Sequence, residues 1–283
     1  MKIQFLIPIL FCFNLSFANK IDSLKTNRDV NRFLARIVDK EFNRLPILGS
    51  ENKKTSASVN LRSNKFYKVD LDNNLLTDLV IDGRRLLIVL DKGNGKYELN
   101  YLDRQSFEKT LLVSIEQLHS PAKIIVRKSP DKFSQLFTLV YKYGKFIEFN
   151  GNPGPDLNID SIKFIASGCF GNCPSFEMTI NKDRKVMYMA KSFNDEQGEF
   201  TGIIAEGEYN ELIELLNYIQ IEKLNIYYSV EWTDDASALL TISYNNETKF
   251  ILDYGQSGTY GLAALYHKFF EYRKSISWTT KNN

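Results

Sequence analysis

Three short stretches hold the residues best suited to chemistry. In Gly168-Cys169-Phe170-Gly171-Asn172-Cys173-Pro174, two thiols stand on either side of a turn. Pro174 biases Cys173 away from helix, and Gly171-Asn172 supplies turn chemistry. A tight reversal there brings the two Cα atoms into the roughly 4.4–6.8 Å window that a disulfide needs. Two outcomes follow. The pair is a staple that sets local geometry, stabilising by only about 2 kcal/mol because the closed loop is short. Alternatively it is a thiol-redox pair, which requires a thiol pKa lowered by a helix N-terminus or a neighbouring cation. Here the pair precedes a strand pattern, the nearest cation in sequence is Lys163, and the spacing exceeds that of the thioredoxin-like motif by one residue. A metal centre would need more than two thiolates, and no histidine lies nearby in sequence.

The second stretch is Asp70-Leu71-Asp72-Asn73-Asn74-Leu75-Leu76-Thr77-Asp78. Asp70, Asp72, Asn74 and Asp78 put side-chain oxygens at alternating positions, and Leu76 can offer its carbonyl. Such a set suits Ca²⁺, a hard cation that takes six to eight oxygens at about 2.3–2.6 Å. The stretch is similar to the calcium loops of repeat-containing β-propeller proteins, with Leu75 where those loops place glycine. Ile81 stands where a helical hand would carry its bidentate carboxylate, and a single copy does not make a propeller. The same residues also suit a plain polar turn between two strands.

The third stretch gathers Glu231, Trp232, Asp234 and Asp235. Paired carboxylates beside an aromatic are the equipment of glycoside hydrolysis, but neighbours on an extended segment point opposite ways. We therefore read Trp232, Asp234 and Asp235 as binding residues and name no catalytic residue. His119 and His267 are the only histidines, and the chain has no Gly-x-Ser-x-Gly elbow around Ser257. Gly255-Gln256-Ser257-Gly258 follows a strand pattern without lysine, which makes a poor phosphate loop.

Composition narrows the classes. The 283 residues hold 36 basic and 34 acidic side chains, so there is no electrostatic footprint for nucleic acid. The hydrophobic share of 43% is that of a folded chain, and at about 150 residues per domain the length suggests two domains. Met1-Lys2, the apolar run from Ile3 to Phe13 and Ser16-Phe17-Ala18 have the layout of a signal peptide cut after Ala18. Phe11 before Cys12 argues against lipid attachment. The expected mature chain is secreted or periplasmic, has no membrane span, and lives where disulfides persist.

These residues must be positioned by regular elements. An apolar stripe from Val30 through Phe33, Leu34, Ile37 and Phe42 to Leu45 predicts a helix, with Asn27 as its cap and Pro46 at its end. Strand patterns follow at Leu79–Ile81, Leu86–Leu90, Tyr97–Tyr101, Leu111–Val113, Lys123–Val126, Leu136–Tyr141 and Phe146–Phe149. Gly151-Asn152-Pro153-Gly154-Pro155-Asp156 can continue neither helix nor sheet and is read as a linker. Beyond it come strands at Ser161–Ala166, Phe176–Ile180 and Val186–Met189, and a shorter one at Ile203–Ala205. A helix over Glu208–Ile219, a hairpin over Leu239–Tyr254 and a helix over Tyr260–Ile276 complete the chain. The expected class is α+β in two domains, 19–150 and 157–283, each an antiparallel sheet packed with one or two helices.

From Ile159 to Ile276 the chain resembles the domain of unknown function 6438, a family of secreted bacterial domains. The resemblance lies in Ile162-Lys163-Phe164 leading to Cys169-Phe170-Gly171-Asn172-Cys173-Pro174 and Phe176. It continues through Tyr188, Gly207-Glu208-Tyr209, Thr233-Asp234-Asp235 and Asp253-Tyr254, and departs at Lys182-Asp183-Arg184. It implies an envelope-associated or secreted protein of a Gram-negative bacterium, and it carries no catalytic residue to transfer. The functional expectation is a non-enzymatic binding module of the cell envelope. Its partner would be an envelope protein or a glycan, with calcium as the one cofactor the residues suggest. The alternative is a thiol-redox protein using Cys169 and Cys173.

Overall fold

The computed structural model describes residues 19–38, 48, 65–83, 85–102, 109–118, 120–129, 135–154 and 156–281. The stretch read as a signal peptide, with Cys12, the last part of the first helical stripe with Pro46, and His119 lie outside the described residues.

Helix α1 spans Asn27–Ile37. Its N-cap is Thr26 and not Asn27: the Thr26 hydroxyl accepts the Asp29 N–H while the Asp29 carboxylate accepts the Thr26 N–H. This reciprocal pair satisfies donors that Asn27 could not reach. Strands β1 (Lys65–Val69), β2 (Asp78–Asp82), β3 (Leu86–Asp91) and β4 (Tyr97–Tyr101) form one antiparallel sheet in sequential order. Strands β5 (Lys109–Glu116), β6 (Lys123–Ser129), β7 (Leu136–Lys142) and β8 (Lys145–Glu148) form a second. The first half thus holds two sheets where the pattern predicts one. Every residue of β2 and β3 is buried, which explains their unbroken apolar runs. Leu79, Ile81, Leu87 and Val89 pack on Val30, Phe33 and Leu34 of α1. Val80, Leu86, Ile88 and Leu90 pack on Ile124, Val126 and Leu139 of the second sheet. A strand covered on both faces cannot alternate.

The second half builds an eight-stranded sheet. Its members are β9 (Ile159–Ala166), β10 (Phe176–Asn181), β11 (Lys185–Ala190), β12 (Gly198–Ile203), β13 (Tyr227–Tyr228), β14 (Ser237–Tyr244), β15 (Glu247–Tyr254) and β16 (Thr279–Thr280). The order is β13-β15-β14-β9-β10-β11-β12-β16, antiparallel except for the short β13–β15 pair. Burial alternates along β10 and β14. One face carries Phe164, Phe176, Met178, Leu240 and Ile242 against helices α2 (Glu206–Tyr218) and α3 (Tyr260–Ser275), and Phe164 stacks on Phe269 at 4.7 Å. Asn245 and Asn246, both at positive φ, turn the β14–β15 hairpin as its two-residue loop requires. The architecture is α+β.

The two halves share core residues. Val140 and Ile147 from the second sheet belong to the cluster around Phe164, and Tyr260 of α3 belongs to the cluster around Ile124. Glu148 accepts the Tyr260 and Gly261 N–H groups at 2.6 and 2.8 Å. Among the described residues no helix is long and apolar enough to cross a membrane.

Candidate functional site

The cysteine turn joins the end of β9 to the start of β10, beside the segment that enters β14. Cys169 and Cys173 are disulfide-bonded with Cα atoms 5.5 Å apart. The turn docks on the acidic segment through its backbone. The Phe170 N–H donates to the Asp234 carbonyl at 3.1 Å, and the Ser167 N–H to the Ser237 carbonyl at 2.9 Å. The Ser237 N–H returns to the Ser167 hydroxyl at 2.7 Å. Two stretches remote in sequence therefore form one surface, with the Phe170 ring standing free in solvent.

Asp234 and Asp235 diverge, but through a bend and not through the extended backbone the sequence suggested. Asp234, at φ 70°, is exposed. Asp235 turns inward: its carboxylate accepts the Trp232 indole N–H at 3.0 Å and the Ala236 N–H at 2.8 Å. Asp253 is fully buried and accepts the Ser257 and Gly258 N–H groups at 2.9 and 3.0 Å. The Gly255–Gly258 turn is thus held by an internal carboxylate, which spends the amides an anion cradle would need. Gly255 sits at φ 80°, and a Cβ there would fall 2.6 Å from a Val230 methyl, so only glycine fits.

These parts enclose a cleft of about 400 Å³ lined by Ser167, Cys173, Pro174, Asp235, Gln256 and Phe270 among others. Of the residues named from sequence as binding, Asp235 reaches the cleft, Trp232 orients Asp235, and Asp234 supports the cysteine turn through its carbonyl. From sequence, Gln256 is weighed only within the Gly255–Gly258 turn as a poor phosphate loop, and Phe270 is not singled out. Nothing in a turn glutamine or a helical phenylalanine distinguishes them until the α3 face meets the cysteine turn.

The acidic loop links β1 to β2. One carboxylate oxygen from each of Asp70, Asp72 and Asp78 lies within 4.8 Å of the others. Asn74 does not join them as an acceptor. Its oxygen takes the Leu76 N–H at 2.7 Å, while its amide donates to Asp72 and to the Asp91 carbonyl. Leu75 adopts φ 68°, the left-handed backbone that glycine would normally supply, with its side chain almost wholly exposed. Burial pushes the Asp78 carboxyl up to about 7, and the charges of Asp72 and Asp70 add to the rise against hydrogen bonds from the Leu71 and Asp91 amides. Lys92, unforeseen from sequence, pairs with Asp72 at 2.7 Å and Glu98 at 3.4 Å. Burial pulls its ammonium down, but hydrogen bonds to Asp72 and Tyr141 outweigh that and hold it above the usual lysine range.

Residues 160–273 match the family described as Domain of unknown function (DUF6438), which covers the cysteine turn, the cleft and most of α3. None of the curated proteins matches the chain.

Proposed function

We propose that this protein is a non-enzymatic binding module of the bacterial cell envelope, secreted or periplasmic, whose ligand enters the cleft beside the cysteine turn. The observation that carries this reading is the convergence of Ser167, Cys173, Asp235, Gln256 and Phe270 on one concave surface. A carboxylate and a carboxamide beside an aromatic side chain offer acceptors, donors and an apolar wall together. Polyhydroxylated sugars are recognised by that mixture, so an envelope glycan suits the cleft better than an extended peptide does. The disulfide's role in this reading is to hold the turn in register with Asp234. The division into units 19–150 and 157–283 belongs to the same reading. It is supported by apolar clusters that draw mainly on one half each.

Soluble cell-wall saccharides titrated into the full chain test this. Amide shifts are expected at Ser167, Asp235 and Gln256, with affinity at least about tenfold weaker in Asp235→Asn, since about 1.4 kcal/mol separates tenfold steps. Saturable binding mapped to any other surface, or none at all, would sink the reading.

The second reading is thiol-redox, favoured by Cys173 lining the cleft, where a reduced pair would meet a ligand. A reduction potential below about −300 mV marks a structural staple, and one near about −120 to −200 mV an oxidoreductase pair.

A further inference from the structure

We propose that Asp70, Asp72 and Asp78 form a divalent-cation site suited to Ca²⁺, set in the loop that joins β1 to β2 within the first sheet and independent of the cleft.

Two separate observations support it. First, the three carboxylate oxygens lie within 4.8 Å of one another, close enough for a single ion bound at about 2.4 Å to reach all three. Second, the Asp72 side chain is only 5% exposed, yet its Oδ1 has no hydrogen-bond partner. A sealed carboxylate oxygen without a donor is costly, and a cation relieves that cost directly. Lys92 does not: its ammonium bonds Oδ2 and is shared with Tyr141 and Glu98.

The donor chemistry indicates the class of ion. The gathered ligands are all carboxylate oxygens, which select hard cations over zinc or copper. Asp78 spends one lone pair per oxygen on the Leu71 and Asp91 N–H groups, at 2.8 Å each. Those bonds fix its orientation and leave further lone pairs for an ion. With Asn74 turned toward Leu76, water would complete the sphere, which favours the weak end of the calcium range, about 10⁻⁴–10⁻³ M.

The position gives the ion work to do. Asn73 bonds Ser120 of the second sheet's β5–β6 connection at 2.6 Å. The Asn74 amide bonds the Asp91 carbonyl of β3, and Lys92 bonds Tyr141 of β7. An ion at the three aspartates would lock a loop that touches both sheets.

Calorimetric titration of the purified, chelator-treated full chain with CaCl₂ tests this, followed by thermal melts in the same ion. One saturable site and a Tm that rises with calcium are expected, with at least about tenfold weaker binding in Asp70→Asn and in Asp72→Asn. Lys92→Met, which removes the competing ammonium, should bind calcium more tightly, a result that a purely structural lysine would not give. No heat and no Tm shift with wild type at about 20 mM calcium, well above the range for such loops, would overturn the proposal. So would undiminished binding in the aspartate variants. Should Asp72→Asn fail to fold, wild type and Asp70→Asn decide the question.

Discussion

Single side chains carry much of the organisation. Glu148, the last residue of β8, reaches across to α3 and accepts two of its first N–H groups. These are among the donors a helix leaves unsatisfied, and a carboxylate there also meets the positive end of the helix dipole. Glu148→Ala should cost about 2–3 kcal/mol in urea unfolding, because hydrogen bonds to charged groups are the strong ones. Glu148→Gln keeps one acceptor and should fall between. An alanine variant as stable as wild type would show that water replaces the carboxylate. Asp253 plays the matching internal role for the turn before α3. Neither partnership is visible in sequence, because the groups joined to Glu148 lie 112 and 113 positions away.

Among elements, legibility followed burial. Strands β10 and β14 alternate cleanly because one face meets helices and the other solvent. The runs at β2 and β3 were equally plain because both faces are covered. Strand β1 lies at a sheet edge with a single buried residue and does not announce itself, and β12 buries only Phe200, so the strand expected at Ile203–Ala205 lies instead at Gly198–Ile203. The cysteine turn is an element in its own right, closed by a disulfide across a short loop. Cys169→Ser with Cys173→Ser should lower global stability by about 2 kcal/mol. Hydrogen exchange should quicken first at Phe170 and Ser237, whose amides hold the turn to the acidic segment. Loss of protection spread evenly over the sheet would show that the staple supports the whole domain instead.

At the scale of the molecule, the two halves are tied by buried residues as well as by the Gly151–Asp156 connection. Ile147 is fully buried within the cluster of the eight-stranded sheet although it belongs to β8. Ile147→Ala should destabilise by about 2–5 kcal/mol, the usual cost of such a truncation. Probes in both halves should report a single shifted transition. Two separate transitions, only one of them moved, would mean that the halves unfold independently. The sequence by itself determined the α+β class, the helices and most strands, the turn chemistry at Asn245-Asn246 and the reach of two cysteines toward each other. Those features depend on periodicity and on residues a few positions apart. Tertiary structure alone decided that the first half makes two sheets, that Asp235 meets Cys173, Gln256 and Phe270 in one cleft, and that Lys92 stands at the acidic loop. Each of these depends on contacts between residues far apart in the chain, and local propensity carries no record of such contacts until the cores have packed.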